Sequence, residues 1–321
     1  MSLVQVDHLM VHYGRRNPVH AVRDVSLTIG NEEFIGLVGE SGCGKSTLGF
    51  AIARLERPPA YIVSGQVMVN GIEWTGKTND ALRSFRWKDV AVVLQSGMNA
   101  LNPVLTVRTQ FWDVMSVHTD WSARDIERRS EEVLDMVRIP RSTLSRYPHE
   151  LSGGMRQRVV IAMAMLLRPK LIIMDEPTTA LDMVVQRAIV DNLKNLRSDL
   201  KFSVLFISHD LGLVLELADR VLVMYAGKIV ESQSSEGIFR RPLHPYTRAL
   251  LRSLPNPAVE TDGFEGIPGS PPDLRTPPIG CAFAERCPMV EERCRSEDPL
   301  PVEHASALVR CHVTSKEIYN V

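Results

Sequence analysis

The stretch that decides the fold is Phe34-Ile35-Gly36-Leu37-Val38-Gly39-Glu40-Ser41-Gly42-Cys43-Gly44-Lys45-Ser46-Thr47. A short, largely apolar strand runs straight into GxxxxGKS, and a helix-like segment over residues 47–55 follows. Glycines let the backbone curl so that its N–H groups point inward at phosphates, and the following helix adds its positive N-terminus. On this reading Gly39, Ser41, Gly42, Cys43, Gly44 and Thr47 line a triphosphate site. Lys45 reaches the β- and γ-phosphates and Ser46 ligates Mg2+. Cys43 stands at a variable position of the loop and reads as a small side chain that fits.

A second apolar run, Leu171-Ile172-Ile173-Met174, ends in Asp175-Glu176. In open α/β sheets ligands bind at the carboxyl ends of the strands, so this pair belongs at such an edge. Asp175 becomes the Mg2+-associated acid and Glu176 the carboxylate that orients or deprotonates an attacking water. Further short apolar runs at 34–38, 90–94, 204–207 and 221–225 alternate with helical segments, the pattern of an α/β core with a largely parallel sheet. From Ser122, a capping-box start and apolar residues Ile126, Val133, Leu134 and Val137 at helical spacing predict an amphipathic surface helix.

The 321 residues carry 44% apolar and 23% charged side chains, enough for one large core and a smaller appendage. A formal net charge of −1, spread along the chain, supplies no footprint for nucleic acid or anionic lipid. The N-terminus lacks the basic start and apolar run of a signal peptide, which predicts a cytoplasmic protein. The most apolar stretch, 159–174, is broken by Arg168, Pro169 and Lys170, short of the roughly 20 residues that span a bilayer.

Beyond about residue 240 the texture changes. Nine prolines between Pro242 and Pro278 disfavour long helices and central strands, so a boundary falls near residue 239. Four of the five cysteines, Cys281, Cys287, Cys294 and Cys311, follow. In a reducing compartment such a group more often holds a metal or cluster than disulfides. Four thiolates can enclose a [4Fe-4S] cluster or a Zn2+, the latter with His304 or His312 as alternative ligands, and the absence of a CxxC pair weighs against a zinc ribbon.

Leu151-Ser152-Gly153-Gly154-Met155 resembles the signature motif of ABC ATPases, with Met where Gln is more usual. The rest of that superfamily's set stands in order. The resemblance implies that Tyr13 stacks on adenine, that Gln95 is a catalytic residue and a Mg2+ ligand, that Asp182 follows in Ala180-Leu181-Asp182, and that His209 meets the γ-phosphate. Tyr13 also has a plain reading as a core aromatic on a strand. The implied fold is a P-loop ATPase core over residues 1–238 with a helical subdomain at about 96–167, plus a small irregular C-terminal domain at 239–321.

Ser152, Gly153 and Gly154 open a helix and form an anion-binding end, although the chain already has a phosphate loop. The resemblance implies a head-to-tail pair in which Ser152–Gly154 of one subunit close over the ATP of the other. His244-Pro245-Tyr246-Thr247-Arg248, Ile267-Pro268-Gly269-Ser270-Pro271-Pro272 and Gly280-Cys281-Ala282-Phe283, leading to Arg286-Cys287-Pro288, resemble the oligopeptide, dipeptide and nickel importer branch. That branch implies ATP hydrolysis at the cytoplasmic face of a membrane, a second ATPase subunit (a different chain or a second copy), two permease subunits, an external solute-binding protein acting indirectly, and a [4Fe-4S] cluster on the four cysteines. The alternatives are a soluble ABC ATPase acting on nucleic acid or ribosome, opposed by the lack of a coiled-coil insertion or second cassette, and an importer of oligosaccharide or nickel. A regulatory subunit that binds ATP without hydrolysing it is opposed by Lys45, Glu176 and His209.

Overall fold

The structure, a computed structural model, describes residues 2–95, 97, 100–179, 183–199, 201–254, 266–304 and 306–319. Ala180, Leu181 and Asp182 therefore lie outside the described residues. In chain order the first elements are β1 (Val4–Tyr13), β2 (Val19–Ile29), β3 (Phe34–Val38), α1 (Lys45–Ile52), β4 (Ala60–Val69), β5 (Ile72–Glu73), α2 (Asn79–Arg83) and β6 (Val90–Val93). Next come α3 (Val107–His118), α4 (Ala123–Met136), α5 (Gly153–Met165), β7 (Leu171–Asp175), α6 (Met183–Asp199), β8 (Ser203–Ser208), α7 (Leu211–Leu217), β9 (Arg220–Tyr225) and β10 (Lys228–Ser234). The last are α8 (Ser235–Arg240), α9 (Pro245–Arg252), α10 (Glu292–Ser296), β11 (Val302–His304), β12 (Ala307–Val309) and α11 (His312–Tyr319). All five apolar runs of the sequence are strands, within a residue or two at their ends.

The chain divides into two compact units. The first comprises residues 1–3, 30–33 and 69–205, the second 4–29, 34–68 and 206–321. In the first, β6 and β7 pair in parallel, Val90 opposite Leu171 and Val93 opposite Met174, and α5 packs on β6. Helix α4 lies against α3 and α5. Ser122 caps it as the sequence predicts, its Oγ accepting from the Asp125 N–H at 3.2 Å. Its buried face includes Arg129 besides Ile126, Val133 and Leu134. This arginine donates to the carbonyls of Met165 (2.7 Å) and Leu166 (2.9 Å), which satisfies acceptors that the end of α5 would leave open.

In the second unit β1 pairs antiparallel with β2 and neighbours β4 on its other side. The remaining strands run in the order β11-β12-β10-β9-β3-β8. Strand β3 pairs in parallel with β9, from Ile35 opposite Arg220 to Val38 opposite Val223, while β9 and β10 are antiparallel. The start of β3 is pinned by Asp219, which accepts from the Phe34 N–H at 3.0 Å and donates its own N–H to the Phe34 carbonyl at 2.8 Å. The proline-rich extension does contribute strands, though only three residues each and at the sheet edge, where β12 pairs with β10. Leu243, Val309 and Cys311 form a small core of their own there.

Strand β3 is buried throughout, and helix α7 sits directly on its glycine. A Cβ at Gly36 would lie 2.0 Å from Val214 Cγ1 and 3.3 Å from Ala218 Cβ. Gly36→Ala should push α7 off the strand that carries the phosphate loop and cost about 1–3 kcal/mol, the range for overpacking a close-packed core. Urea unfolding followed by fluorescence checks this, and an unchanged midpoint would mean that the helix adjusts freely.

Candidate active site

Loop 39–46 leaves β3 and enters α1 through three glycines at positive φ, Gly39 (+153°), Gly42 (+77°) and Gly44 (+108°). Two are also sterically required. A Cβ on Gly39 would lie 2.1 Å from the Met224 carbonyl oxygen, and one on Gly44 2.1 Å from that of Ala21. The loop is thereby seated on the end of β9 and on β2. Glycine at the N-cap offers no side chain to the first-turn amides of α1, which leaves them aimed for an anion. Lys45 is buried, its Nζ donating to the carbonyls of Gly39 (2.7 Å) and Glu40 (3.0 Å). Ser41 and Gly42 are exposed at the tip. This donor set, amides and one ammonium, fits a polyphosphate.

Cys43 is buried, and burial pushes its thiol above the usual range. It stays protonated and inert, in keeping with a small residue that fits. Tyr13 ends β1 half-buried, with its hydroxyl 3.1 Å from Thr47 Oγ1, directly behind the loop. His209 is exposed at the end of β8, just before Asp210, which caps α7 by accepting from the Leu213 N–H at 3.0 Å. Tyr13, the phosphate loop and His209 all belong to the second unit.

Gln95, Ser152–Gly154, Asp175 and Glu176 belong to the first unit. Gln95 is exposed in the turn after β6. Asp175 closes the parallel strand β7 and is buried. Glu176, one residue on, takes a left-handed backbone (φ +49°) that costs an ordinary residue of order 1 kcal/mol, and its Oε2 accepts from Thr179 Oγ1 at 2.8 Å. Strain of this kind turns a side chain out of the strand direction. Ser152 caps α5, its Oγ accepting from the Met155 N–H at 3.3 Å, with Gly153 and Gly154 in the first turn. The departure at Met155 leaves those backbone donors in place.

The C-terminal cysteines lie in the second unit with the phosphate loop. Cys294 and Cys311 are buried, Cys281 and Cys287 partly so. The Cys281 N–H donates to the Cys294 carbonyl at 2.8 Å, and Gly280 permits this approach, since a Cβ there would lie 2.3 Å from the same oxygen. Burial above all, with charge on Cys311, Cys294 and Cys287 acting in the same sense, pushes the Cys281 thiol up to about 12. Among the described residues, however, no group of three or more His, Cys, Asp or Glu side chains is arranged to hold a metal ion. The histidines expected as alternative zinc ligands do not serve. His304 is exposed, and His312 is committed at both ring nitrogens, to Arg293 at 2.5 Å and to the Glu297 carbonyl at 2.9 Å.

Residues to which motif reading gave no part in the ATP site lie in the same unit as the loop. Glu231 is fully buried and its carboxylate accepts from the N–H groups of Leu243 (2.7 Å) and His244 (2.8 Å) and from Gln233 Nε2 (2.7 Å). His244 caps α9 by accepting from the Tyr246 N–H at 3.0 Å. Tyr246, Tyr225 and Phe283, all buried, pack with ring centroids 4.6–5.4 Å apart. Tyr246 and Arg286 bond to Glu40, the second residue of the loop. The last contact joins positions 246 residues apart, which no local spacing could signal.

The fold and this loop, followed by an acid-tipped parallel strand and a serine-capped glycine helix, define a P-loop ATPase of the ATP-binding-cassette class. The ABC transporter family matches residues 22–179, and the oligopeptide/dipeptide transporter C-terminal region matches residues 230–294. The dipeptide transport ATP-binding protein DppD of Haemophilus influenzae is 41% identical over 320 residues, 99% of this chain and 97% of that one. The oligopeptide transport ATP-binding protein AppD of Bacillus subtilis is 39% identical over 321 residues, 98% of each chain. The solved dimeric cassette MJ0796, in a post-hydrolysis state bound to ADP and Pi, superposes with a TM-score of 0.64 at 27% identity, over 72% of this chain and 98% of that one. The chain belongs to the ABC transporter family of ATPases, in the branch that carries this C-terminal region.

Burial pushes His244 down to about 3, against 6.5 when exposed. Below pH 6.5 the unfolded chain therefore binds a proton that the folded chain refuses, so stability is lost as pH falls from 6.5 toward 3. Glu231 is raised by burial and acts in the opposite sense, so the clean quantity is a difference between variants. His244→Asn keeps a capping oxygen, and at pH 5 it should have lost about 2 kcal/mol less of its pH 7.5 stability than the wild type. Parallel stability curves in denaturant at the two pH values would refute the buried neutral cap.

Proposed function

We propose that this chain hydrolyses ATP to drive uptake of peptides or a related small solute through partner permeases. The observation that carries this reading is a complete cassette set in one chain joined to a C-terminal region shared with dipeptide and oligopeptide transport ATPases. Among the described residues no helix is long and apolar enough to cross a membrane. Work at a membrane then requires partners, and we infer two permease subunits, a second cassette subunit that is either another chain or a second copy, and attachment at the cytoplasmic face. An external solute-binding protein acts only through the permeases.

In this reading Lys45 and the loop amides hold the β- and γ-phosphates, and Ser46, Asp175 and Gln95 hold Mg2+, which supplies charge neutralisation on the phosphoryl oxygens. Glu176 takes the proton of the attacking water, His209 contacts the γ-phosphate, and Tyr13 stacks on adenine. The Ser152-capped end of α5 serves the nucleotide of the partner subunit, since an anion-binding helix end is surplus in a chain with its own phosphate loop. Asp182 completes the nucleotide-binding set. Residues 1–238 form the ATPase core, with the helical part at about 96–167 receiving the permeases, and 239–321 form the appendage.

The four cysteines are proposed to hold a [4Fe-4S] cluster. The support is the sequence pattern: four cysteines fall within residues 281–311, after a proline-rich segment with little apolar material to order it otherwise. No step of hydrolysis runs through it.

Glu176→Gln keeps the shape of the side chain without its basicity, so turnover should fall about 100-fold or more while MgATP affinity stays within about twofold. Phosphate release by the assembled transporter measures this, and wild-type turnover would remove Glu176 from the role of base. Protein purified without oxygen should absorb broadly near about 400 nm and contain about four irons per chain. A colourless preparation free of iron would end the cluster proposal.

A further inference from the structure

Glu40 is the second residue of the phosphate loop, and every polar group it has is engaged. Its N–H donates to Tyr246 Oη at 2.8 Å. Its carbonyl accepts from Lys45 Nζ at 3.0 Å and from the Cys43 N–H at 3.3 Å. Its two carboxylate oxygens accept a bidentate pair from Arg286, Nη1 at 2.7 Å and Nη2 at 2.8 Å. The inward face of this residue thus organises the lysine and the loop, and its outward face is held by two residues of the C-terminal extension.

Arg286 is itself fully committed. Its other three donors go to Tyr225 Oη (3.1 Å) and to the carbonyls of Pro268 (2.8 Å) and Ile267 (3.2 Å), so all five N–H groups are used. It is only 8% exposed. Removing a guanidinium from water costs several kcal/mol unless geometry and partners compensate, which separates this contact from an exposed surface pair. Tyr246 is equally fixed, its ring packed against Tyr225 and Phe283 and its helix start held by His244 and Glu231.

We propose that Arg286 and Tyr246 are positioning residues for ATP binding, which set the phosphate loop by clamping Glu40 and so fix the place of the Lys45 ammonium and the loop amides. The proposal rests on the reading of residues 39–46 as the phosphate loop. A glycine-rich loop has many conformations to lose, and one held in its binding shape before ATP arrives binds with less ordering cost. The extension is then part of the ATP site's support, and not only a feature that separates this branch from plain cassettes.

The test uses the full chain and MgATP, with dissociation constants from calorimetry, steady-state KM and kcat, and melting temperature without nucleotide. Tyr246→Phe removes a single oxygen from a packed ring and should weaken MgATP about three- to tenfold while the melting temperature moves by no more than about 3 °C. Arg286→Gln should raise the dissociation constant and KM about tenfold or more, with kcat at saturation within about threefold. The double variant Glu40→Gln, Arg286→Gln should bind MgATP no more weakly than Arg286→Gln alone, because the two act through one contact. MgATP affinity within twofold of wild type in Tyr246→Phe and Arg286→Gln, whatever the melting temperature, overturns the clamp and leaves a structural staple. If Arg286→Gln does not fold, Tyr246→Phe decides by the same criterion. Lys45→Ala separates the two readings: if it loses MgATP while the clamp variants keep it, only the clamp fails, and if it binds as wild type, the phosphate-loop assignment itself fails.

Discussion

The carbonyl of Glu40 accepts from the buried ammonium of Lys45, and the rest of the site depends on where that oxygen sits. Three of the eight residues from Gly39 to Ser46 are glycines, and fixing each backbone costs of order 1–2 kcal/mol in lost freedom. The structure meets that cost from two sides. Steric contact with the Met224 and Ala21 carbonyls seats Gly39 and Gly44, and the hydrogen bonds of Arg286 and Tyr246 hold Glu40 between them. One set comes from the sheet and the other from the extension. A loop that is mostly backbone acquires a defined shape because its neighbours supply the side chains it lacks.

In the first unit the chemistry depends on element ends. A buried parallel strand delivers Asp175 to its carboxyl edge, and a left-handed residue then turns Glu176 away from the strand axis at some cost in strain. Such strain persists where surrounding contacts over-determine it, here the Thr179 hydroxyl on the Glu176 carboxylate. Helix α5 begins in a serine cap and ends in the buried guanidinium of Arg129, so both its termini are defined by side chains.

Most of the architecture could be read from periodicity and motif. Strand β3, the phosphate loop and the acid-tipped β7 have local signatures, because strand, loop and helix follow each other within a dozen residues. The cap at Ser122 likewise lies three residues from its partner. Arg129 was not readable, since an arginine at helical spacing reads as a solvated face until the end of a distant helix is known to need donors. Nor was the clamp on Glu40. The phrases containing Tyr246 and Arg286 stand out in the sequence, but their contact with residue 40 is a product of tertiary folding. The short strands β11 and β12 escaped for a further reason: three residues are too few to show alternation.

Arg286 links the cysteine segment to the ATP site, since it precedes Cys287 and follows Phe283 of the aromatic cluster. Whatever orders the segment about Cys281 and Cys294 also orders the guanidinium that holds Glu40. The most direct measurement is amide hydrogen exchange over residues 39–47 in the full chain without nucleotide, wild type against Arg286→Gln. Loop amides should exchange about tenfold faster or more in the variant while those of β3 and β9 keep their protection. Equal exchange of the loop in the two proteins would contradict the account, because the phosphate loop would then hold its shape without the extension.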